Sequence, residues 1–246
     1  MPYKNSRLSD YLEHSELMLK NARKDTTIRD LLAVHKIDDV KITEGLTLCE
    51  NAYTLEKLQV KLHGEQFRAR AIFEKLRDET HPRYMDHVKF MRMAHRDDLR
   101  KLDELDAATT RVRTITGWLT QSKTFYTNVL GDEQALAKMT GYGITAENLQ
   151  EVELKVAEVG AANQEHKLKK GEAQDAIDRR DAALDLLDKF MSEFIGICRI
   201  ALKEHPQLLE KLGIVVYTKG YISAKSKAAA EERKKVPSEA DRKNRM

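Results

Sequence analysis

The side chains with the clearest capacity for chemistry are two histidines in the first half of the sequence. His87 and His95 lie eight residues apart with Met91 midway between them, so on an α-helix all three share one face. Imidazole nitrogens and sulfur atoms bind zinc or copper, and Cys198 could add a soft ligand from the second half of the chain. This set would make the protein a metal-binding helical bundle.

Packing is the alternative role for these residues. When the sequence is slid against itself by 107 positions, His87 aligns with Phe194 and His95 aligns with Leu202. Because apolar residues stand at the matching positions, we favour core or boundary histidines over metal ligands.

Catalytic and cofactor motifs are missing from the sequence. It lacks the Glu-x-x-His pairs of di-iron bundles, the glycine-rich loops that cradle phosphates, and the GxSxG nucleophile elbow. We therefore predict no catalytic residue and no cofactor, and a protein that is not an enzyme.

Two arginines stand at matching places in the two halves. Arg92 and Arg199 align at the offset of 107, and each is followed two residues later by an alanine. An arginine on an apolar helix must reach the surface or meet an acid, so we predict a structural salt bridge for each. If the two arginines faced each other, they could instead grip an anion.

The offset of 107 matches residues along most of the chain without a gap. Identical pairs include Asn21/Asn128, Asp25/Asp132, Glu44/Glu151 and Gly64/Gly171. We interpret the pattern as an internal duplication. The predicted organisation is a first helical repeat over 1–107, a second over 108–218, and a basic, flexible tail over 219–246.

Composition indicates a helical protein. Of the 246 residues, 41% are hydrophobic and 34% are charged with nearly balanced sign, and only 4 prolines and 11 glycines interrupt the chain. No apolar run is long enough to span a bilayer and the N-terminus lacks an apolar signal core, so we expect a cytoplasmic protein. The two cysteines have no CxxC partner, which favours buried free thiols.

Local signals place the helices. Apolar residues from Leu8 to Ala22 recur at helical spacing, and Asp25 and Asp132 stand where a side chain can cap the short helix that follows. These signals predict short helical pairs over 8–35 and 113–142. Asp38 and Thr145 can then cap the long helical regions.

The long regions allow two structures. A continuous helix from Thr145 to Lys203 would be about 90 Å long, as in a coiled coil. Its apolar stripe, however, is interrupted by polar residues at Asn163, His166 and Lys170. We therefore favour a helical hairpin in which Gly171 takes a left-handed C-cap, and a matching hairpin at Gly64.

The hairpins define the predicted fold. It is all-α, with two duplicated helical units that form a pseudo-twofold four-helix bundle of long helices with extra short helices. Pro82 should kink or break the helix that carries it. The expected long helices run near 38–63, 65–105, 145–170 and 172–204.

Positive charge is concentrated at the C-terminus. Residues 219–246 contain nine Lys or Arg and four Asp or Glu, which gives +5 and leaves −2 for residues 1–218. Such a tail could bind nucleic acid or an anionic membrane surface. A solubilising end is the alternative that we favour, because only Tyr221 adds an aromatic ring to the basic residues.

The second half opens with WLxQSxxFYxNxL, turns at GIT, and continues through GEAQ and RDAALD to ICRIALKEHPQLLEKLGIVV. Together these motifs resemble a recurrent, uncharacterised type of bacterial all-helical protein with a tandem internal duplication. The resemblance covers most of residues 8–217 and implies helices and duplication, but it carries no activity over to this chain. The first half departs from the pattern at ETHPRYMDH and MAHRDD, which indicates divergence between the copies.

These observations favour a non-enzymatic helical-bundle scaffold whose two similar faces bind a protein partner or a second copy of the chain. The alternative is a binder of nucleic acid or an anionic surface through residues 219–246. A metal-binding bundle with His87, His95 and Cys198 as ligands is the second alternative.

Overall fold

A computed structural model describes residues 7–215, which form eight α-helices and contain no β-strand. The predicted all-α class is confirmed. The helices are α1 (Leu8–Lys24), α2 (Thr26–Ala33), α3 (Asp39–Ala94), α4 (Leu99–Glu104), α5 (Ile115–Leu130), α6 (Glu133–Gly141), α7 (Ala146–Ala201) and α8 (Pro206–Lys211).

The helix boundaries recur at the offset found in the sequence. Helices α5, α6, α7 and α8 each begin 107 residues after α1, α2, α3 and α4, respectively. The backbone repeats the same spacing. Its four positive φ angles form two pairs at this offset, Lys36 with Gly143 and Asp106 with Gly213.

The two long helices correct the predicted hairpins. Both α3 and α7 run unbroken for 56 residues, and Gly64 and Gly171 lie inside them. The expected bundle of four long helices is therefore not confirmed, since residues 7–215 contain two long helices. Neither glycine has the positive φ angle that a left-handed C-cap requires.

The polar residues that argued against a continuous α7 differ in their surroundings. Asn163 is buried, the ring of His166 stacks on Phe73 of α3 with centroids 6.1 Å apart, and Lys170 is exposed. The neighbouring Lys169 pairs with Glu65 of α3 at 3.2 Å. Side chains of α3 thus accommodate His166 and Lys169, which periodicity alone does not reveal.

Pro82 also fails to break its helix, contrary to the prediction. Proline removes one backbone hydrogen bond and costs about 3 kcal/mol in a helix interior. The next turns bury Tyr84, Val88 and Met91 completely, and this burial offsets the loss.

The predicted helix caps are confirmed. The Asp25 carboxylate accepts hydrogen bonds from the backbone amides of Thr27 and Ile28, and Asp132 accepts one from Ala135. Asp38 and Thr145 likewise accept hydrogen bonds from backbone amides in the first turns of α3 and α7.

The chain divides into two compact units, and neither coincides with one sequence repeat. The first described unit comprises residues 7–51 and 184–215, and the second comprises residues 52–183. Each unit takes segments from both α3 and α7.

The first unit packs α1, α2 and α8 with the start of α3 and the end of α7. Its buried residues include Leu19, Ile28, Ile42 and Phe194. Packing is closest at Gly45, where a Cβ atom would lie 2.4 Å from the ring of Phe190.

The second unit contains the aromatic core, built from α3, α5, α6 and α7 with α4. Here α3 and α7 run antiparallel, because the partners on α7 rise in number as those on α3 fall. The contacts that show it are Arg83 with Glu151, Phe73 with His166, and Gln59 with Arg180.

An identical asparagine pair has the same role in both units. The side-chain amide of Asn21 donates to the carbonyl of Lys211 at the end of α8, and Asn128 donates to the carbonyl of Glu104 at the end of α4. The short last helix of each repeat therefore docks against the first helix of the other repeat.

Candidate functional site

The first predicted metal ligand, His87, lies in the second unit and contacts a tyrosine. The hydroxyl of Tyr126 is 3.0 Å from Nδ1 of His87. Burial, with help from the nearby Arg83, lowers the pKa of His87. The imidazole is therefore neutral near pH 7 and is occupied by a hydrogen bond within the core.

The second predicted ligand, His95, is buried at the end of α3. His95 is 3% exposed, its Nδ1 lies 3.3 Å from the Lys138 ammonium, and no residue among 7–215 forms a hydrogen bond with its buried Nε2. Burial and the charge of Lys138 lower the pKa of His95. The lysine occupies the position that a metal ion would need at Nδ1.

The third predicted ligand, Cys198, belongs to the first unit, whereas the two histidines belong to the second. The thiol is buried, and burial raises its pKa to about 12. Cys49 is also a buried free thiol with a pKa raised to about 12. Within residues 7–215, no cluster of three His, Cys, Asp or Glu side chains could hold a metal ion.

His95 gives a testable pH dependence. Because the pKa of His95 is lower in the folded chain, the unfolded chain takes up a proton first as the pH falls. The contribution of neutral His95 to the free energy of unfolding is therefore fully present above about pH 6.5 and decreases below it. Replacing His95 by leucine, the residue at the matching position 202, removes the unpaired Nε2 atom. We expect the free energy of unfolding to rise by about 1 kcal/mol at pH 5.5.

Urea denaturation of His95→Leu at pH 5.5 and pH 8 tests this expectation. The gain should be larger at the lower pH, because the variant loses one group that titrates. His35→Leu, at an exposed position, is the matched control and should change the pH dependence little. A gain of equal size at both pH values would contradict the explanation.

Within residues 7–215 Arg92 forms no ion pair, which corrects the predicted salt bridge. Its guanidinium donates to two backbone carbonyls, with Nε 2.7 Å from the oxygen of Ala107 and one terminal nitrogen 3.0 Å from that of Thr109. These carbonyls belong to the connector between α4 and α5. Arg199, its counterpart, is exposed on α7 in the first unit.

A second arginine, which the sequence analysis missed, completes the hold on this connector. The side chain of Arg111 is 10% exposed and donates to the Tyr84 hydroxyl at 2.6 Å, to the carbonyl of Asp106, and to Thr109. Arg92 and Arg111 therefore act as a structural clamp on the connector. Residue spacing does not reveal this clamp, because it forms only when the connector between α4 and α5 packs against α3.

The aromatic core beside the clamp also favours structure over catalysis. The indole nitrogen of Trp118 donates to Nδ1 of His81 at 2.9 Å, and Tyr84 packs edge-on against Trp118 and Phe125. Burial raises the pKa of Tyr126, and burial also raises that of Tyr84. These hydroxyls are protonated at neutral pH and are not activated nucleophiles.

The feature that packing within the second unit does not explain is the outer face of α3. Tyr53, Val60 and Phe67 follow one another at intervals of seven residues and are 49%, 60% and 55% exposed. Seven residues complete nearly two helical turns, so the three side chains form one exposed apolar row. We call this row the α3 stripe.

Cations accompany the α3 stripe along one side. Lys57, Lys61 and Arg68 are exposed, and on a helical projection they lie beside the stripe. None of the three pairs with an acid among residues 7–215: Lys57 lies over the Tyr53 ring at 4.5 Å, and Arg68 reaches the carbonyl of Gly64 at 3.4 Å. Apolar surface and unneutralised positive charge therefore stand side by side.

The three positions that match the α3 stripe in the second repeat carry no large apolar side chain. The positions matching the α3 stripe are Gly160, Lys167 and Gln174, so the outer faces of the two long helices differ. The expectation of two similar faces for a partner stays a prediction. The sequence already held the signal, since Tyr53, Val60 and Phe67 point away from the buried positions of α3 once the helix is continuous.

The predicted binder at 219–246 lies outside the described residues, so its role stays a prediction. None of the helices within residues 7–215 is both long and apolar enough to cross a membrane.

The chain matched no protein-family model, no curated protein and no solved structure in the comparisons with known proteins.

Proposed function

We propose that this protein is a non-enzymatic scaffold whose α3 stripe binds an acidic, amphipathic helix of a partner protein. The observation that supports it most is the exposed row Tyr53, Val60 and Phe67 beside cations that form no ion pair within residues 7–215. Large exposed apolar groups in a regular row are typical of binding surfaces.

The spacing of the α3 stripe favours a helical partner. A row with a period of seven residues along a straight helix matches the contact row of another helix packed nearly parallel to it. From Tyr53 to Phe67 the row spans about 21 Å, or about four turns. A partner helix of about 20 residues would cover it.

Charge favours an acidic partner over a second copy of the chain. Two copies that met through the α3 stripe would bring Lys57, Lys61 and Arg68 of both chains close together. Like charges at an interface oppose association, whereas Glu or Asp side chains on a partner would pair with them.

The internal duplication is part of the proposal. Support comes from the constant offset of the helix boundaries and of the positive φ angles. We infer that two copies related by a pseudo-twofold axis built the scaffold, and that the first copy then acquired the docking row.

A synthetic helix tests the proposed function with full-length protein. The probe is a 21-residue peptide with leucine at every seventh position and glutamates on both flanks, labelled for fluorescence anisotropy. Val60→Glu should weaken its binding at least tenfold, because a carboxylate then interrupts the α3 stripe and repels the peptide. Leu186→Glu, an equally exposed apolar position outside the stripe, should leave the affinity within twofold.

Three results would overturn the proposal. The first is binding of the peptide to Val60→Glu with unchanged affinity. The second is dimerisation of the wild type, seen by sedimentation and abolished by Val60→Glu, because it would assign the stripe to self-association. The third is binding to vesicles rich in phosphatidylserine with no binding to the peptide, because it would assign the stripe to a membrane surface.

A further inference from the structure

We propose a second binding site, a cationic groove between α5 and α7 that takes a small, multiply charged oxyanion. The groove has a volume of about 410 Å³, within the usual size range of small-molecule sites, and lies wholly in the second unit. It is lined by Thr116, Leu119, Thr120, Lys123, Ala157, Gly160, Ala161, Asn163, Gln164 and Lys167.

The charge of the groove is positive and unneutralised. Lys123 and Lys167 line it from opposite helices, and no acidic side chain is among the lining residues. Neither lysine forms an ion pair within residues 7–215, although many other lysines of this part of the chain do. Two ammonium groups that face one space attract an anion with more than one negative charge.

An amide that lines the groove is the second observation. Asn163 is 8% exposed, lines the groove, and forms no hydrogen bond within residues 7–215. Its amide atoms are not among the fully buried unpaired atoms of the described residues, so they are open to a molecule in the groove. A bound oxyanion would accept a hydrogen bond from the Asn163 amide nitrogen.

The surrounding groups fit the same ligand. Gln164 adds another amide, and the hydroxyl of Thr116 can donate to an oxygen atom. Gly160 and two alanines have small side chains or none, which leaves the α7 side of the groove open. Phosphate esters and polycarboxylates both meet these requirements, since each offers several charged acceptor oxygens.

Comparison of the two repeats indicates that the groove is a property of the second. The positions 107 residues earlier hold Glu16 in place of Lys123, Val60 in place of Lys167, and Tyr53 in place of Gly160. At these three positions the first repeat therefore has neither of the two positive charges, and a large ring stands where the second repeat has a glycine.

Isothermal titration calorimetry of the full chain tests the site. The probes are pyrophosphate and citrate, which separate the phosphate source from the carboxylate source. We expect saturable binding of at least one probe, and at least a tenfold loss of affinity in Lys123→Glu and in Gly160→Tyr, each of which copies the first repeat. A Cβ at Gly160 would meet only Leu119 at 3.7 Å, an ordinary contact, so the first atom of the new side chain has room.

Lys170→Gln is the matched control, because it removes a positive charge three residues from Lys167 without touching the groove. It should change the affinity by less than twofold. Circular dichroism of each variant separates loss of the site from loss of the fold. The proposal is overturned if neither probe binds the wild type saturably, or if Lys170→Gln and Lys123→Glu weaken binding equally, since only a diffuse charge effect would then remain.

Discussion

Replacing Arg111 by alanine is expected to lower the free energy of unfolding by about 3 kcal/mol. The guanidinium is 10% exposed and is the only described donor to the Tyr84 hydroxyl, which is itself fully buried. Its removal leaves that hydroxyl and the carbonyl of Asp106 without this donor. The connector between α4 and α5 should then lose its attachment to α3.

Urea denaturation followed by circular dichroism measures this loss. Arg113→Ala, two residues away and exposed, removes the same charge and should change stability by less than about 0.5 kcal/mol. Arg111→Lys should be intermediate, because an ammonium group keeps the charge but cannot reach all the acceptors at once. Equal effects of the two alanine variants would show that the clamp contributes nothing.

The second large effect is a gain of stability at Gly64 and Gly171. Both glycines lie inside continuous helices, and a Cβ added at either would meet nothing within 4 Å. Alanine is favoured over glycine in a helix interior by about 1 kcal/mol per site. The double variant Gly64→Ala, Gly171→Ala should therefore raise the free energy of unfolding by about 2 kcal/mol.

Gly45→Ala is the control with the opposite sign. Gly45 also lies inside α3, but its added Cβ would clash with the ring of Phe190 at 2.4 Å. The same substitution should therefore destabilise the protein despite its gain in helix propensity. A loss of stability at Gly64 or Gly171 would instead indicate left-handed caps at hairpin tips.

Local signals predicted much of the secondary structure. Asp25, Asp132, Asp38 and Thr145 cap the helices assigned to them, because a cap depends on residues only two or three positions apart. The all-α class followed from composition and spacing. Features that depend on short sequence distances were thus predictable.

Features that depend on contacts between α3 and α7, or on how a connector folds back, could not be predicted from the sequence. The polar residue His166 looks unsuitable for a contact row until Phe73 of α3 stands opposite it. Arg92 was expected to meet a carboxylate, but the connector between α4 and α5 lies against it and accepts its hydrogen bonds through backbone carbonyls. Neither arrangement can be deduced without knowing which segments meet in space.

The exposed face of α3 was missed for a related reason. A hairpin at Gly64 would place Phe67 on a different helix from Tyr53 and Val60, so the α3 stripe exists only if α3 is continuous. The docking proposal therefore rests on the continuity of this helix, which is the central claim of the account.

A spin-label distance across Gly64 tests that continuity most directly. Labels on cysteines introduced at Lys57 and Lys75, both exposed, are separated by 18 residues, which in an unbroken helix corresponds to about 27 Å between Cα atoms. The native thiols Cys49 and Cys198 are buried with pKa values of about 12, so they should resist labelling at neutral pH. A distance distribution centred near 27 Å is the predicted result, and one centred near the roughly 10 Å spacing of packed antiparallel helices would contradict the account.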